Sequence, residues 1–436
     1  CVNLESIPVS LMKGATAAQD IKYMFAGCES VTEIPSGIFT NCSTVTNLEY
    51  IFYKTGVRKL QKGIFEGLTG VKTIGAVFQG CTSLTEIEPG VFDGLTAAKS
   101  FRYCFSDCTS LRQIPSDLFR GLTAAYEFTY TFENTALESV PEDLFAEARD
   151  YSSADFTYMF ADCANLKTVP AGLFNTFTKV TSPGFKNLFY GSGIETIPAG
   201  LFAKNTAVST GFEEVFSNCT SLKTIEGPIF PESTSVSSLA YAFENCTSLE
   251  AIPEGFFDAI AGSKTKFTAT FVSCTSLKLL PAGLFAKNSL TTNFSGTFCG
   301  CSSLEEIPSD LMPVDSKATS VKEMFAECSS LKSVPSGFFA TTPAVTTFEG
   351  TFAECTALET IPEELFSAIG TKTSSITFSE CFINCSALRN LPAGLFDTVR
   401  RINYIDSCFE GCSSLTGESP YTIITDAEGA EKKVHL

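Results

Sequence analysis

The chain has no tryptophan and one histidine, His435, in 436 residues. With one imidazole and no G-x-S-x-G or comparable context around a nucleophile, Ser-His-Asp and Cys-His catalysis have no foundation here. Carboxylates are plentiful but scattered, without a paired acid and base, so no enzyme is expected. Basic residues are also scarce. Thirty Lys and Arg against 48 Asp and Glu leave a net charge of −18. Nucleic-acid binding needs clustered Lys and Arg to displace counterions, so no nucleic-acid partner is expected. No stretch approaches the ~18 apolar residues of a membrane-spanning helix. Cys-x-x-x-Cys occurs at 104/108, 381/385 and 408/412, but no zinc-ligand set with the required spacing accompanies it, and neither metal nor cofactor is expected.

What the chain does have is 40 Phe and 18 Cys arranged with a period. The phrase CESVTEIPSGIF from Cys28 returns as CTSLRQIPSDLF from Cys108, CANLKTVPAGLF from Cys163 and CSSLKSVPSGFF from Cys328. A phenylalanine anchor stands three residues before each of these cysteines. The full run is Phe25, Phe52, Phe78, Phe105, Phe132, Phe160, Phe189, Phe216, Phe243, Phe271, Phe298, Phe325, Phe352, Phe382 and Phe409, in steps of 26 to 30 residues. A fixed period of this length marks a stacked repeat array in which each unit buries its apolar face only against its neighbours. The opening CVNLESIPVSLM falls in the frame of Cys28, so the numbered chain is expected to begin inside a repeat. Any leader, lipid anchor or N-terminal cap is then expected upstream of residue 1.

The averaged unit reads C-x-x-L-x-x-I-P-x-x-L-F, a polar stretch, then V-x-x-F-x-x-x-F. The L-x-x-I piece stops at proline and predicts a short strand. P-x-x-L-F predicts one tight helical or 3-10 turn with proline in its first turn. Val345, Phe348 and Phe352 stand at helical spacing and predict a short helix, with a second short strand as the alternative.

Tandem units of this kind resemble leucine-rich repeats, and the C-x-x-L-x-x-I-P phrase behind F-x-x-C resembles the BspA-type repeats of surface proteins in Bacteroides-group bacteria. The expected fold is an α/β repeat: a right-handed leucine-rich-repeat solenoid of about 16 units of ~27 residues. A parallel sheet would line one face and short helices or 3-10 turns the other. It is expected to fill residues 1–416, with 417–436 forming two strands around Asp-Ala-Glu-Gly as a C-terminal hairpin-like cap or the lead-in to a further module. The resemblance implies a cell-surface or outer-membrane location, reached only through an unseen upstream anchor, and binding or adhesion rather than catalysis. Two roles fit it: recognition of a protein or glycan ligand at the cell surface, or service as an accessory lipoprotein of an outer-membrane nutrient-uptake complex.

Three columns run through the repeat. Thirteen cysteines share the frame of Cys1 and are expected as buried free thiols meeting backbone groups. Where the frame lacks cysteine, at FYKTGV, FENTAL and FYGSGI, the turn is one residue shorter. A second column alternates in sign over Arg112, Glu138, Lys167, Glu195, Lys223, Glu250, Lys278, Glu305, Lys332, Glu359 and Arg389. Stacked in parallel it neutralises itself and makes a poor electrostatic binding site. The third lies two residues before the anchor and holds Tyr23, Tyr50, Tyr103, Tyr130, Tyr158 and Tyr241. Other units put Ala, Asn, Glu, Gly or Ser there, so the core does not demand an aromatic ring. These tyrosines either pack over adjacent units or form a ligand stripe, and they are the candidate binding residues.

Overall fold

The computed structural model describes residues 3–369, 375–415 and 421–435; Cys1 lies outside them. Its internal contacts define two compact units, Cys1–Phe216 and Ser217–Leu436. Each is a parallel stack of the repeat.

The V-x-x-F segment carries the main ladder. In the first unit single-residue parallel bridges run from Asp20 through Asn47, Thr73, Ser100 and Glu127 to Asp155. In the second, Asn293, Ser320, Thr347 and Thr377 continue the same frame. Past the bridge, alternate amides keep pointing at the next repeat: Tyr23, Phe25 and Gly27 donate to the carbonyls of Glu49, Ile51 and Tyr53 at 3.3, 2.9 and 2.7 Å. The intervening amides close local turns, as Ala26 does on Tyr23 and Cys28 on Phe25. The helix expected over Val345, Phe348 and Phe352 is therefore not formed. Phe348, Gly350 and Phe352 donate to Thr377, Ser379 and Cys381 one repeat on. Gly350 sits at φ +58°, a left-handed conformation that no right-handed helix accommodates. The 3-and-7 spacing reflects two inward rings on a chain of turns.

The L-x-x-I piece is a strand only where its neighbours permit. β1 (Lys59–Leu60) and β2 (Glu86–Ile87) pair in parallel, Lys59 opposite Glu86. β3 (Thr196–Ile197) lies in the first unit and β4 (Thr224–Ile225) in the second. Elsewhere the piece shrinks to single bridges such as Ala251–Leu279 and Ser333–Thr360. Gln61, Glu88 and Glu226 follow β1, β2 and β4 where most units have proline. The Glu88 amide donates to Leu60 at 2.9 Å, a bond that proline cannot make. P-x-x-L-F closes as a tight turn, Leu118 donating to Pro115 and Leu144 to Pro141. Among the described residues, helical structure amounts to two 3-10 segments, Asp258–Ile260 and Glu363–Phe366.

β5 (Ile376–Thr377) and β6 (Ile402–Tyr404) pair in parallel within the main ladder of the second unit. β7 (Tyr421–Thr425) and β8 (Glu431–His435) form an antiparallel hairpin. Its buried Asp426 accepts the amides of Glu428, Ala430 and Ile402, and Ala427 donates to Val399, which ties the turn to the last repeat.

The core is a file of rings. From Phe25 to Phe216 successive anchors stack 5.3 to 5.8 Å apart, with planes within 14°. From Phe243 to Phe409 the spacing is 5.2 to 5.7 Å. Each such ring contributes about 1.5–3 kcal/mol by burial alone.

Candidate functional site

The cysteine frame faces inward. The thiols of Cys81, Cys108, Cys163 and Cys274 donate to the carbonyls of Phe52, Phe78, Phe132 and Phe243 at 3.1 to 3.2 Å. The amide of Cys81 meanwhile donates to Phe78, as that of Cys108 does to Phe105. An anchor carbonyl such as that of Phe78 thus has both lone pairs used, one by its own unit and one by the next. At the breaks threonine takes the cysteine position but stays within its own repeat: the Thr55 hydroxyl donates to the Phe52 carbonyl and that of Thr135 to Phe132, carbonyls that the Cys81 and Cys163 thiols of the next repeat also use. Gly193, after the break at Ser192, takes no side chain because a Cβ there would overlap the Ala164 carbonyl. All described cysteines are free, and burial raises the thiol pKa of Cys81 and Cys163 to about 11 and that of Cys274 to about 12. These groups are inert toward ligands.

The alternating charges stack in register. Arg112 meets Glu138 at 2.6 Å, Lys167 meets Glu195 at 3.1 Å, Lys332 meets Glu305 at 2.9 Å and Arg389 meets Glu359 at 3.3 Å. All of these side chains are solvent-exposed, and their charge is consumed within the column.

The tyrosine frame differs in kind. All six tyrosines have a left-handed backbone, with φ between +55° and +58°. Two pairings hold them there. The amide donates to the next repeat, as Tyr103 does to Thr129 and Tyr130 to Thr157, each at 3.0 Å. The carbonyl closes a turn three residues on, as Tyr103 does with Ser106. A short polar residue three positions upstream prepares this bend: the Asn47 and Asp155 side chains accept the amides of Glu49 and Thr157 at 2.9 Å. The signal in the sequence for this left-handed frame is Gly296 and Gly350 in the same column, and the tyrosines themselves carry none.

The rings lie on the outside and stack on one another. Tyr23 and Tyr50 are 4.8 Å apart with planes 6° from parallel. Tyr103, Tyr130 and Tyr158 form a second stack at 4.6 and 4.7 Å, and Tyr190 closes it edge-on at 5.8 Å. Tyr241 stands apart in the second unit, 40% exposed, and Tyr23 is 56% exposed. Partial burial, and then the neighbouring rings, push the Tyr130 phenol up to about 12. The Arg102 guanidinium lies 5.0 Å from the Tyr103 ring centre. So five of the six candidates gather in one unit as two stacks, and the sixth does not join them.

A family profile described as a BspA type leucine rich repeat region, in six copies, matches residues 3–188, 129–255 and 205–335. The chain belongs to the BspA-type leucine-rich repeat family. Among solved structures, a leucine-rich repeat protein of Bacteroides ovatus is similar, with 22% identity over 88% of this chain and 81% of that one at a TM-score of 0.52. A leucine-rich repeat protein of Eubacterium ventriosum is 16% identical over 80% and 82% of the two chains, at a TM-score of 0.38. A chain of the Drosophila Toll–Spatzle complex is 14% identical over 92% and 46%, at 0.42. Only the first exceeds 0.5, and at its identity it speaks to the leucine-rich repeat fold. No curated protein matches the sequence. Neither the family profile nor these structures indicate an enzymatic family. No described helix is long and apolar enough to cross a membrane.

Within this BspA-type scaffold, one cleft touches the tyrosine column. It measures about 440 Å³, and Tyr50, Tyr103, Lys72, Lys99, Arg102, Glu49 and Glu127 are among its lining residues, with Gly75 and Ala76 between the two tyrosines. The tyrosine frame of the sequence marks Tyr50 and Tyr103 but not the small residues between them.

Proposed function

We propose that this BspA-type protein is a non-enzymatic binding protein of the cell surface and that its tyrosine column contacts a macromolecular ligand, protein or glycan. One observation carries the reading. Tyrosine recurs at a left-handed position where a bulky residue costs about 1–2 kcal/mol more than glycine. The sister position two residues after the anchor is left-handed as well, and there glycine, asparagine or aspartate stands in most units, Gly27, Asp107 and Asn134 among them, with Lys54, Ser273, Glu327 and Glu354 the exceptions and no aromatic ring. Local strain accepted in unit after unit points to a use beyond the fold. A rigid ring with a polar tip presents much contact area at little entropic cost, which suits an anchor for a partner. Family membership supports the surface location.

The test is a binding screen of the purified chain against immobilised extracellular proteins and glycans. A Tyr50→Ser/Tyr130→Ser variant is expected to bind the partner found at least tenfold more weakly than the parent. Tyr126→Ser, outside the column, should bind unchanged. Equal binding by both variants places the site elsewhere and ends this reading.

A further inference from the structure

The rings of the tyrosine column face one another. Tyr23 and Tyr50 lie 4.8 Å apart with planes 6° from parallel, and Tyr103, Tyr130 and Tyr158 follow at 4.6 and 4.7 Å with planes within 17°. The remaining tyrosine contacts among the described residues are of another kind: Tyr50–Tyr53, Tyr126–Tyr151 and Tyr158–Tyr190 meet edge-on at 5.7 to 5.9 Å. The column thus sets phenol against phenol in van der Waals contact. Tyr23 is largely exposed and Tyr50, Tyr103, Tyr130 and Tyr158 are half-buried, so every ring keeps contact with solvent.

Phenols in such contact have one covalent reaction open to them. A one-electron oxidant removes an electron from the ring, the hydroxyl proton passes to water, and the phenoxyl radical left behind shares its unpaired electron between the oxygen and the ring carbons, the ortho pair among them. When two neighbouring rings are oxidised, their ortho carbons form a carbon–carbon bond. Each of those carbons then loses its hydrogen as a proton and each oxygen regains one, which restores two phenols joined as dityrosine. The pair loses two electrons and two protons in all. Hydrogen peroxide, acting through a haem peroxidase, takes them up and becomes two waters.

Position decides which rings couple. Neighbours held in contact react as an effectively unimolecular pair, at an effective concentration on the order of 1 M or more, whereas rings on separate chains meet at about 10 µM in dilute solution. The new bond leaves the ring centres only slightly closer than the stack holds them, so the rings hinge and need not travel. Exposed side chains make such motions within nanoseconds. No tryptophan competes for the oxidant. The described thiols are buried, but for the half-buried Cys299.

We propose that the tyrosine column is an oxidative cross-linking site, in which peroxide-driven one-electron oxidation joins Tyr23 to Tyr50, and Tyr130 to Tyr103 or Tyr158, as dityrosine. Each link ties consecutive repeats together through their outer side chains. It closes a loop one repeat long and stabilises the fold as a disulfide of that span would. The proposal stands whether or not the column also binds a partner.

The test treats the purified whole chain, in dilute solution, with a haem peroxidase and hydrogen peroxide. Dityrosine fluorescence gives the yield, and mass spectrometry of the digested product maps the linked peptides. The product is expected to stay monomeric, to carry Tyr23–Tyr50 and Tyr130 links as its main cross-links, and to melt several degrees above the untreated chain. Tyr50→Phe/Tyr130→Phe keeps every ring in place but takes a phenol from each stacked pair. Its intramolecular yield should fall roughly tenfold, since no remaining tyrosine has a stacked partner. Tyr126→Phe, which changes only an edge-on pair, should leave the yield unchanged.

An undiminished intramolecular yield from Tyr50→Phe/Tyr130→Phe overturns the proposal. So does a map dominated by Tyr126–Tyr151 or by links between chains, because stacking would then not decide the coupling. A parent chain that forms no dityrosine, while free tyrosine couples under the same treatment, overturns it as well.

Discussion

At the scale of single residues, the unusual choice is cysteine where a repeat protein needs a small donor inside. The thiol fills a narrow inward position and reaches a carbonyl one repeat away, which serine would do at a higher desolvation cost and alanine not at all. This makes a pH prediction. Cys81, Cys163 and Cys274 ionise at about 11, 11 and 12 in the fold against 9.0 when free, because burial disfavours the thiolate. Between these values the folded state holds protons that the unfolded state has released, so stability falls as pH rises. Each thiol contributes a slope of about 1.4 kcal/mol per pH unit. Under reducing conditions Tm should therefore be flat from about pH 6 to 8 and drop steeply above 9. A Tm that holds between pH 9 and 10.5, followed by calorimetry, would mean that the thiols are not buried as described. The frame of these cysteines and their inward role were legible from their coincidence with turn length. Their acceptor was not, since no sequence pattern says that the anchor carbonyl has a lone pair to spare.

Elements in this molecule are shorter than their periodicity implies. Phenylalanines at helical spacing predicted a helix over Val345–Phe352, and the chain forms stacked turns. Hydrophobic spacing records which residues point inward, and a left-handed residue between two inward rings reproduces a helical interval without a helix. Strand length was better marked, because proline after L-x-x-I shows where the ladder must stop. The charge column is an element in its own right, and seven of its eleven side chains, Lys223, Glu250, Lys278, Glu305, Lys332, Glu359 and Arg389, fall in the second unit. Its backbone is in register, since Glu305 donates to the Lys278 carbonyl and Lys332 to that of Glu305. Glu305→Lys would set three cations side by side. Its Tm should fall by a few degrees at low salt and recover most of that loss at about 0.5 M NaCl, where screening acts within ~5 Å. A loss independent of salt would show that the side chain matters for packing and not for charge.

For the whole molecule, the repeat and its family were readable because the same phrase returns with little variation. The proposed binding surface was readable only in part. Five of its residues share a frame and could be collected by counting, whereas the cost of their left-handed backbone emerges only when repeats are stacked. One set of rings, the phenylalanine anchors, provides cohesion, and the tyrosines lie on the outside. Stability separates the two most directly. Losing one buried anchor, Phe132→Ala, should cost about 3–5 kcal/mol. Losing the stack in Tyr103→Ser/Tyr130→Ser/Tyr158→Ser removes three ring contacts, two stacked and the Tyr158–Tyr190 edge contact, worth about 0.5–1.5 kcal/mol each. The measurement is the melting temperature of these two variants beside the parent. The triple variant should melt within about 5 °C of the parent and above Phe132→Ala. If it melts below Phe132→Ala, the tyrosines hold the fold together and the column is not a displayed surface.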